Sequence, residues 1–108
     1  MSYDPNIVIS DEVLATIVVT AAKQVDGVSV LLPQNFDFPR FAKKGNLRFV
    51  KLTQNQAAEL SVGIGLRLCA GTKVVYVAGR VQRAVKDALQ TMAGRAVACV
   101  NVRVQGID

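Results

Sequence analysis

The stretch Glu59-Leu60-Ser61-Val62-Gly63-Ile64-Gly65-Leu66-Arg67-Leu68-Cys69 decides the fold. Leu60, Val62, Ile64, Leu66 and Leu68 share one parity, and Glu59, Ser61, Gly63, Gly65, Arg67 and Cys69 share the other. Side chains alternate faces along a strand, so this run has one apolar face and one face that is nearly bare. A strand of that kind belongs to a sheet covered on one side and open to water or a partner on the other.

The flanking segments supply the cover. Residues 47–53 read as a strand, and Gln54-Asn55-Gln56 suits the turn of a hairpin leading into 59–69. Downstream, Gly71-Thr72 opens a helix, with Thr72 placed as its N-cap. Val74, Val77, Ala78, Val81, Ala84, Val85, Ala88, Leu89 and Met92 form an apolar stripe at about 100° per residue. Gly79, Arg83, Lys86 and Gln90 fall opposite, and Gly94 marks the stop. In the last strand, 97–105, Ala98, Val100, Val102 and Val104 alternate with Cys99, Asn101, Arg103 and Gln105.

Upstream, Ile7-Val8-Ile9 reads as a brief strand. Ser10 is an N-cap whose hydroxyl accepts a free backbone N–H, and Asp11 and Glu12 suit the positive end of the helix dipole. Apolar residues at helical spacing from Val13 to Val25 predict a helix over 11–25, and Gly27 is placed as its left-handed terminus. By helical phase Val19 points outward near Ala15, between Glu12 and Lys23. Residues 28–32 form a strand ended by Pro33, and 33–46 form a long irregular segment. The sum is an α+β chain, one domain over residues 1–108. It is a two-layer sandwich in which two helices pack on one face of a small mixed sheet.

Composition agrees and removes many functions. At 108 residues, 51% of them hydrophobic, the chain has material for a core without a metal or disulfide staple. No apolar run approaches the length of a membrane span. Met1-Ser2-Tyr3-Asp4-Pro5 lacks the plan of a signal peptide, so a cytoplasmic location is expected, with any membrane contact peripheral. Cys69 and Cys99 have no metal-ligand spacing and read as free thiols. There is no histidine, which excludes the usual triads and most zinc and iron sites. The eight acids form no evident acid/base couple. Gly63-Ile64-Gly65 lies inside a strand, without the helix N-terminus that would hold a phosphate. The expectation is a binding or assembly module with no catalytic residue, cofactor or metal, and no small-molecule substrate.

Two groups of residues stand out as binding candidates. Phe36, Phe38, Arg40, Phe41, Lys43 and Lys44 combine aromatic and basic side chains in one long loop, a plausible partner-binding segment. Ser61, Gly63, Gly65, Arg67, Asn101 and Arg103 line the uncovered sheet face, where bare glycines permit close approach by another backbone. The net charge of +5 supports a runner-up reading as a small basic nucleic-acid-binding module. Against that reading, the strands carry no aromatic pair of the RNA-recognition type, and no GXXG loop joins two helices.

The residues also resemble a known family. Ile9-Ser10-Asp11-Glu12-Val13, Ala21-Ala22 through Val25-Asp26-Gly27-Val28, Val81-Gln82-Arg83-Ala84-Val85-Lys86, and Met92-Ala93-Gly94 through Val100-Asn101-Val102-Arg103-Val104-Gln105-Gly106-Ile107 are similar to the alkaline shock protein family, the envelope stress response proteins found mainly in Gram-positive bacteria. The likeness covers nearly the whole chain apart from 33–46. It implies a cytoplasmic, non-enzymatic protein that self-associates into a homo-oligomer and reaches the membrane through an anchor protein. It carries no catalytic residues over. The basic charge and the Phe-rich loop depart from the family pattern.

Overall fold

The computed structural model describes residues 7–33 and 45–108. In chain order the elements are α1 (Asp11–Lys23), β1 (Val28–Leu32), a short 3-10 helix (Gly45–Phe49), β2 (Val50–Gln54), β3 (Leu60–Leu68), α2 (Val74–Ala93) and β4 (Val97–Ile107).

β3 is the spine of a mixed four-stranded sheet. On one edge it pairs antiparallel with two short strands placed end to end. β2 runs along its first half, from Gln54 opposite Leu60 to Val50 opposite Ile64. β1 runs along its second half, from Leu32 opposite Gly65 to Val28 opposite Leu68. On the other edge β4 lies parallel to β3 along its whole length. Parallel neighbours need a crossover, and α2 supplies it. The β2–β3 turn is built by Asn55, whose Oδ1 accepts from the backbone N–H groups of Ala57 (2.9 Å) and Glu59 (3.0 Å). The hairpin read from the sequence is therefore present.

Both helices pack on the apolar sheet face. Leu14, Val18 and Ala22 of α1, Val62, Leu66 and Leu68 of β3, and Val81, Val85 and Leu89 of α2 are fully buried. Each large aliphatic group there contributes about 1.5–3 kcal/mol. Ser10 caps α1 as expected, accepting from Val13 N–H at 3.3 Å. Gly94, at φ 63°, ends α2 in the left-handed conformation.

Several local readings are corrected. Ile7-Val8-Ile9 is not a strand, and Ile7 and Val8 are exposed. Residues 45–49 form a 3-10 helix, so the strand expected from 47 begins at Val50. The N-cap position of α2 is Lys73, with no side-chain bond. Thr72 instead donates its hydroxyl to Cys69 O, closing the β3–α2 turn. Met92 is exposed rather than part of the buried stripe. α1 ends at Lys23, and Gly27 (φ 101°) serves the turn into β1.

The most instructive correction is Val19. It and Ala15 are buried, at 4% and 0% exposure. The 3-10 helix explains this. Asn46 donates to Thr16 Oγ1 at 3.0 Å, and Gly45 lies beside the Glu12 carboxylate. α1 is thus covered on a third side, and the flank bearing Ala15 and Val19 belongs to the core.

Candidate interaction surface

The register of the sheet arranges its far face in rows. Thr53, Ser61 and Cys99 make the first, and Lys51, Gly63 and Asn101 the second. Leu32, Gly65 and Arg103 make the third, and Val30, Arg67 and Gly106 the fourth. The structure thus brings together all six sheet-face residues singled out from the sequence. Ser61, Gly63 and Arg67 are half-buried, Asn101 and Arg103 are exposed, and Gly65 is buried between the residues flanking it. The aromatic and basic candidates Phe36, Phe38, Arg40, Phe41, Lys43 and Lys44 lie outside the described residues.

Gly63 leaves a gap without a side chain on the spine of the sheet, whereas Gly65 is buried. A Cβ on Gly63 would rest 3.5 Å from Lys51 Cβ, an ordinary contact, so the position tolerates a side chain and the bareness is not a packing requirement. Around the gap the chemistry is polar and cationic. The Cys99 thiol donates to Ser61 Oγ at 3.5 Å, and Asn101 Nδ2 donates to Cys99 Sγ at 3.9 Å. Lys51, Arg67 and Arg103 contribute positive charge.

Arg67 is held in place. Its Nε donates to Asp108 Oδ1 at 2.8 Å, and the Ser29 hydroxyl donates to the other carboxylate oxygen. The guanidinium crosses Gly106, where any Cβ would run into it. The Ser29 hydrogen bond, then that of Arg67, holds the Asp108 carboxyl below the usual carboxylate range. Asp108 N–H also donates to Leu68 O at 2.8 Å, so this corner is fixed by backbone and side chain together.

The helix layer carries a second feature, which the sequence reading of the outer stripe had not included. Val25, Tyr76, Arg80, Arg83, Ala84 and Asp87 line an open groove of about 330 Å³ between the turn after α1 and the first two-thirds of α2. The Arg80 guanidinium lies 5.9 Å from the centre of the Tyr76 ring. The same helical wheel that placed Gly79 and Arg83 outward also places Tyr76 and Arg80 there, so the signal was available. Among the described residues β4 pairs only with β3, and this layer partly covers its other edge. Gln82 of α2 donates to Val100 O at 3.0 Å, which satisfies an edge carbonyl and blunts the strand as a template.

What the described residues lack is chemical machinery. No polar or charged side chain is buried, and no group of three or more histidine, cysteine, aspartate or glutamate side chains is placed to hold a metal. No helix among them is long and apolar enough to cross a membrane.

A family model for alkaline shock protein 23, described as having a cell envelope-related function, matches residues 2–108. The chain belongs to this alkaline shock protein family. Among its relatives, the uncharacterized protein Spy1535 of Streptococcus pyogenes serotype M6 is 33% identical over 105 residues, covering 97% of this chain and 81% of that protein. Two solved variants of MamM-CTD share the fold. The one with a histidine replaced by alanine has a TM-score of 0.54 at 14% identity, covering 90% of this chain and 98% of that one. The one with glutamate instead has a TM-score of 0.53 at 15% identity, covering 88% and 93%. Family membership ties the chain to the cell envelope, and the likeness to MamM-CTD concerns architecture alone. The family resemblance read from residues 9–13, 81–86 and 92–107 holds over nearly the entire chain.

Proposed function

We propose that this chain is a non-enzymatic interaction module of the cell envelope, which self-associates and docks on a membrane-linked protein through its open sheet face. The observation that carries the reading is the polar and cationic sheet face opposite the helices, as the described residues present it. On it the half-buried Ser61 and Gly63 lie between the exposed Lys51, Asn101 and Arg103. A broad, polar sheet face of this kind favours a macromolecular partner over a small molecule, which is ordinarily held in a concave apolar pocket. Glycine where a side chain would fit is a cost to strand stability that close approach by another surface offsets. Membership in an envelope-related family supports a partner at the envelope, and the proposal places the chain peripherally at the cytoplasmic side of the membrane.

Affinity capture from detergent-solubilised membranes of the native host tests the docking half. Wild-type protein should retain a specific membrane protein at stoichiometric yield. Gly63→Glu and Arg103→Glu, both placed on the open face, should lose it while keeping their circular dichroism. Retention by both variants would contradict the assignment of the face. The nucleic-acid alternative predicts oligonucleotide affinity that falls steeply with salt, and no binding at low salt would remove it.

A further inference from the structure

The outer face of α2 combines features that the sheet face does not. Arg80, Arg83 and Lys86 are exposed along consecutive turns, against Asp87 as the one acid of the helix. At the start of the same helix Val75 and Tyr76 stand in solvent at 85% and 61% exposure. A valine and a tyrosine this exposed bury little against their own chain. Tyrosine is a ring with a polar tip, suited to the boundary between headgroups and acyl chains. The acids of α1 lie elsewhere: Glu12 is on the flank that meets the 3-10 helix, and Asp11 is in the first turn beside the Ser10 cap. The helix layer is therefore polarised, basic on the α2 side.

We infer that this face docks directly on an anionic lipid bilayer. Charge complementarity identifies the occupant. Cations on a partly apolar helix face are attracted to anionic headgroups by about 1 kcal/mol each near the surface, and the apolar tip adds shallow burial. Arg80 and Arg83 line one groove with Tyr76, where their two cations outnumber the single carboxylate of Asp87. The sheet face has cations and an exposed valine, Val30, but it carries Ser61, Thr53 and Asn101 around them and lacks an exposed aromatic side chain among the described residues. Contact of this strength is weak and reversible, which suits a protein that also binds a membrane-linked partner. It is independent of self-association.

Vesicle co-sedimentation tests it with full-length protein, using phosphatidylcholine vesicles with and without phosphatidylglycerol. Binding is expected only with phosphatidylglycerol and should fall as salt rises. The triple variant Arg80→Gln, Arg83→Gln, Lys86→Gln should lose roughly 100-fold in partitioning. A control with Arg48→Gln, exposed on the 3-10 helix and outside both faces, should bind as the wild type does. Tyr76→Trp provides a second readout, since its emission should shift to the blue with anionic vesicles and not with neutral ones. The inference is overturned by any of four results. These are no binding to anionic vesicles, equal binding to neutral ones, a triple variant that binds like wild type, or stronger binding to an oligonucleotide of matched charge. None of the four bears on whether the protein self-associates or retains a membrane protein through its sheet face.

Discussion

Arg67 and Asp108 join the last row of the sheet face to the residue following β4, Nε to Oδ1 at 2.8 Å. Ser29 donates to the same carboxylate, so β1, β3 and the end of β4 meet at one ionised group. The Asp108 carboxyl titrates below its ordinary value in the folded chain. A depressed carboxylate stabilises the fold above its unfolded pKa of about 3.9 and loses that contribution as pH falls through the folded value. Urea unfolding midpoints should therefore drop below about pH 4 in the wild type. In Asp108→Asn that part of the acid dependence should be missing. Identical acid profiles for the two proteins would contradict the pairing. Both partners are substantially solvated, so the effect at neutral pH should be small.

Ala58 and Gly94 share a φ of 63° with opposite residue choices. At Gly94 the left-handed conformation is free of steric cost, while at Ala58 the Cβ is strained. Gly94→Ala should destabilise by about 1 kcal/mol, and Ala58→Gly should stabilise by about 0.5 kcal/mol or more. Thermal or urea melts at matched protein concentration measure both. Shifts in the same direction would contradict the assigned backbone.

Gly27 combines a φ of 101° with crowding. A Cβ there would stand 2.7 Å from Thr72 Cγ2 and 3.0 Å from Val77 Cγ2. Gly27→Ala should cost about 2–4 kcal/mol, clearly more than Gly94→Ala, because conformational strain and overpacking add. Denaturant titration at equal denaturant slope checks the difference.

Val19 tests the third wall of the core. At 4% exposure its truncation removes buried methyl groups and leaves a gap against the 3-10 helix side. Val19→Ala should cost about 1–3 kcal/mol. A change below about 0.5 kcal/mol is what an exposed helix position would give and would contradict the packing.

Val19 also shows where sequence reasoning stops. The alternation over 59–69, the Asn55 turn, the Ser10 cap and the α2 stripe are local signals, and the physics that creates each lies within a few residues. They place the two layers and the six sheet-face candidates on one surface. The burial of Ala15 and Val19 depends on residues 45–49 packing across from a distant part of the chain, which no helical wheel contains. Leu47 and Phe49 alternate as a strand would, yet they turn as a 3-10 helix beside α1. Period two over so short a run does not separate these outcomes. Thr72 was legible as a capping residue type, but its hydroxyl closes the preceding turn instead. Nor does strand composition announce that β4 lies parallel to β3 or that β1 and β2 share one edge.

The proposed account rests on the open face bringing copies of this chain together, and light scattering coupled to size-exclusion chromatography tests that most directly. Measured from low to about 100 µM protein, the wild type should show a mass above the 11.6 kDa of one chain, rising with concentration. Gly63→Glu should return it to a single chain. A wild-type mass of one chain throughout that range would contradict the account.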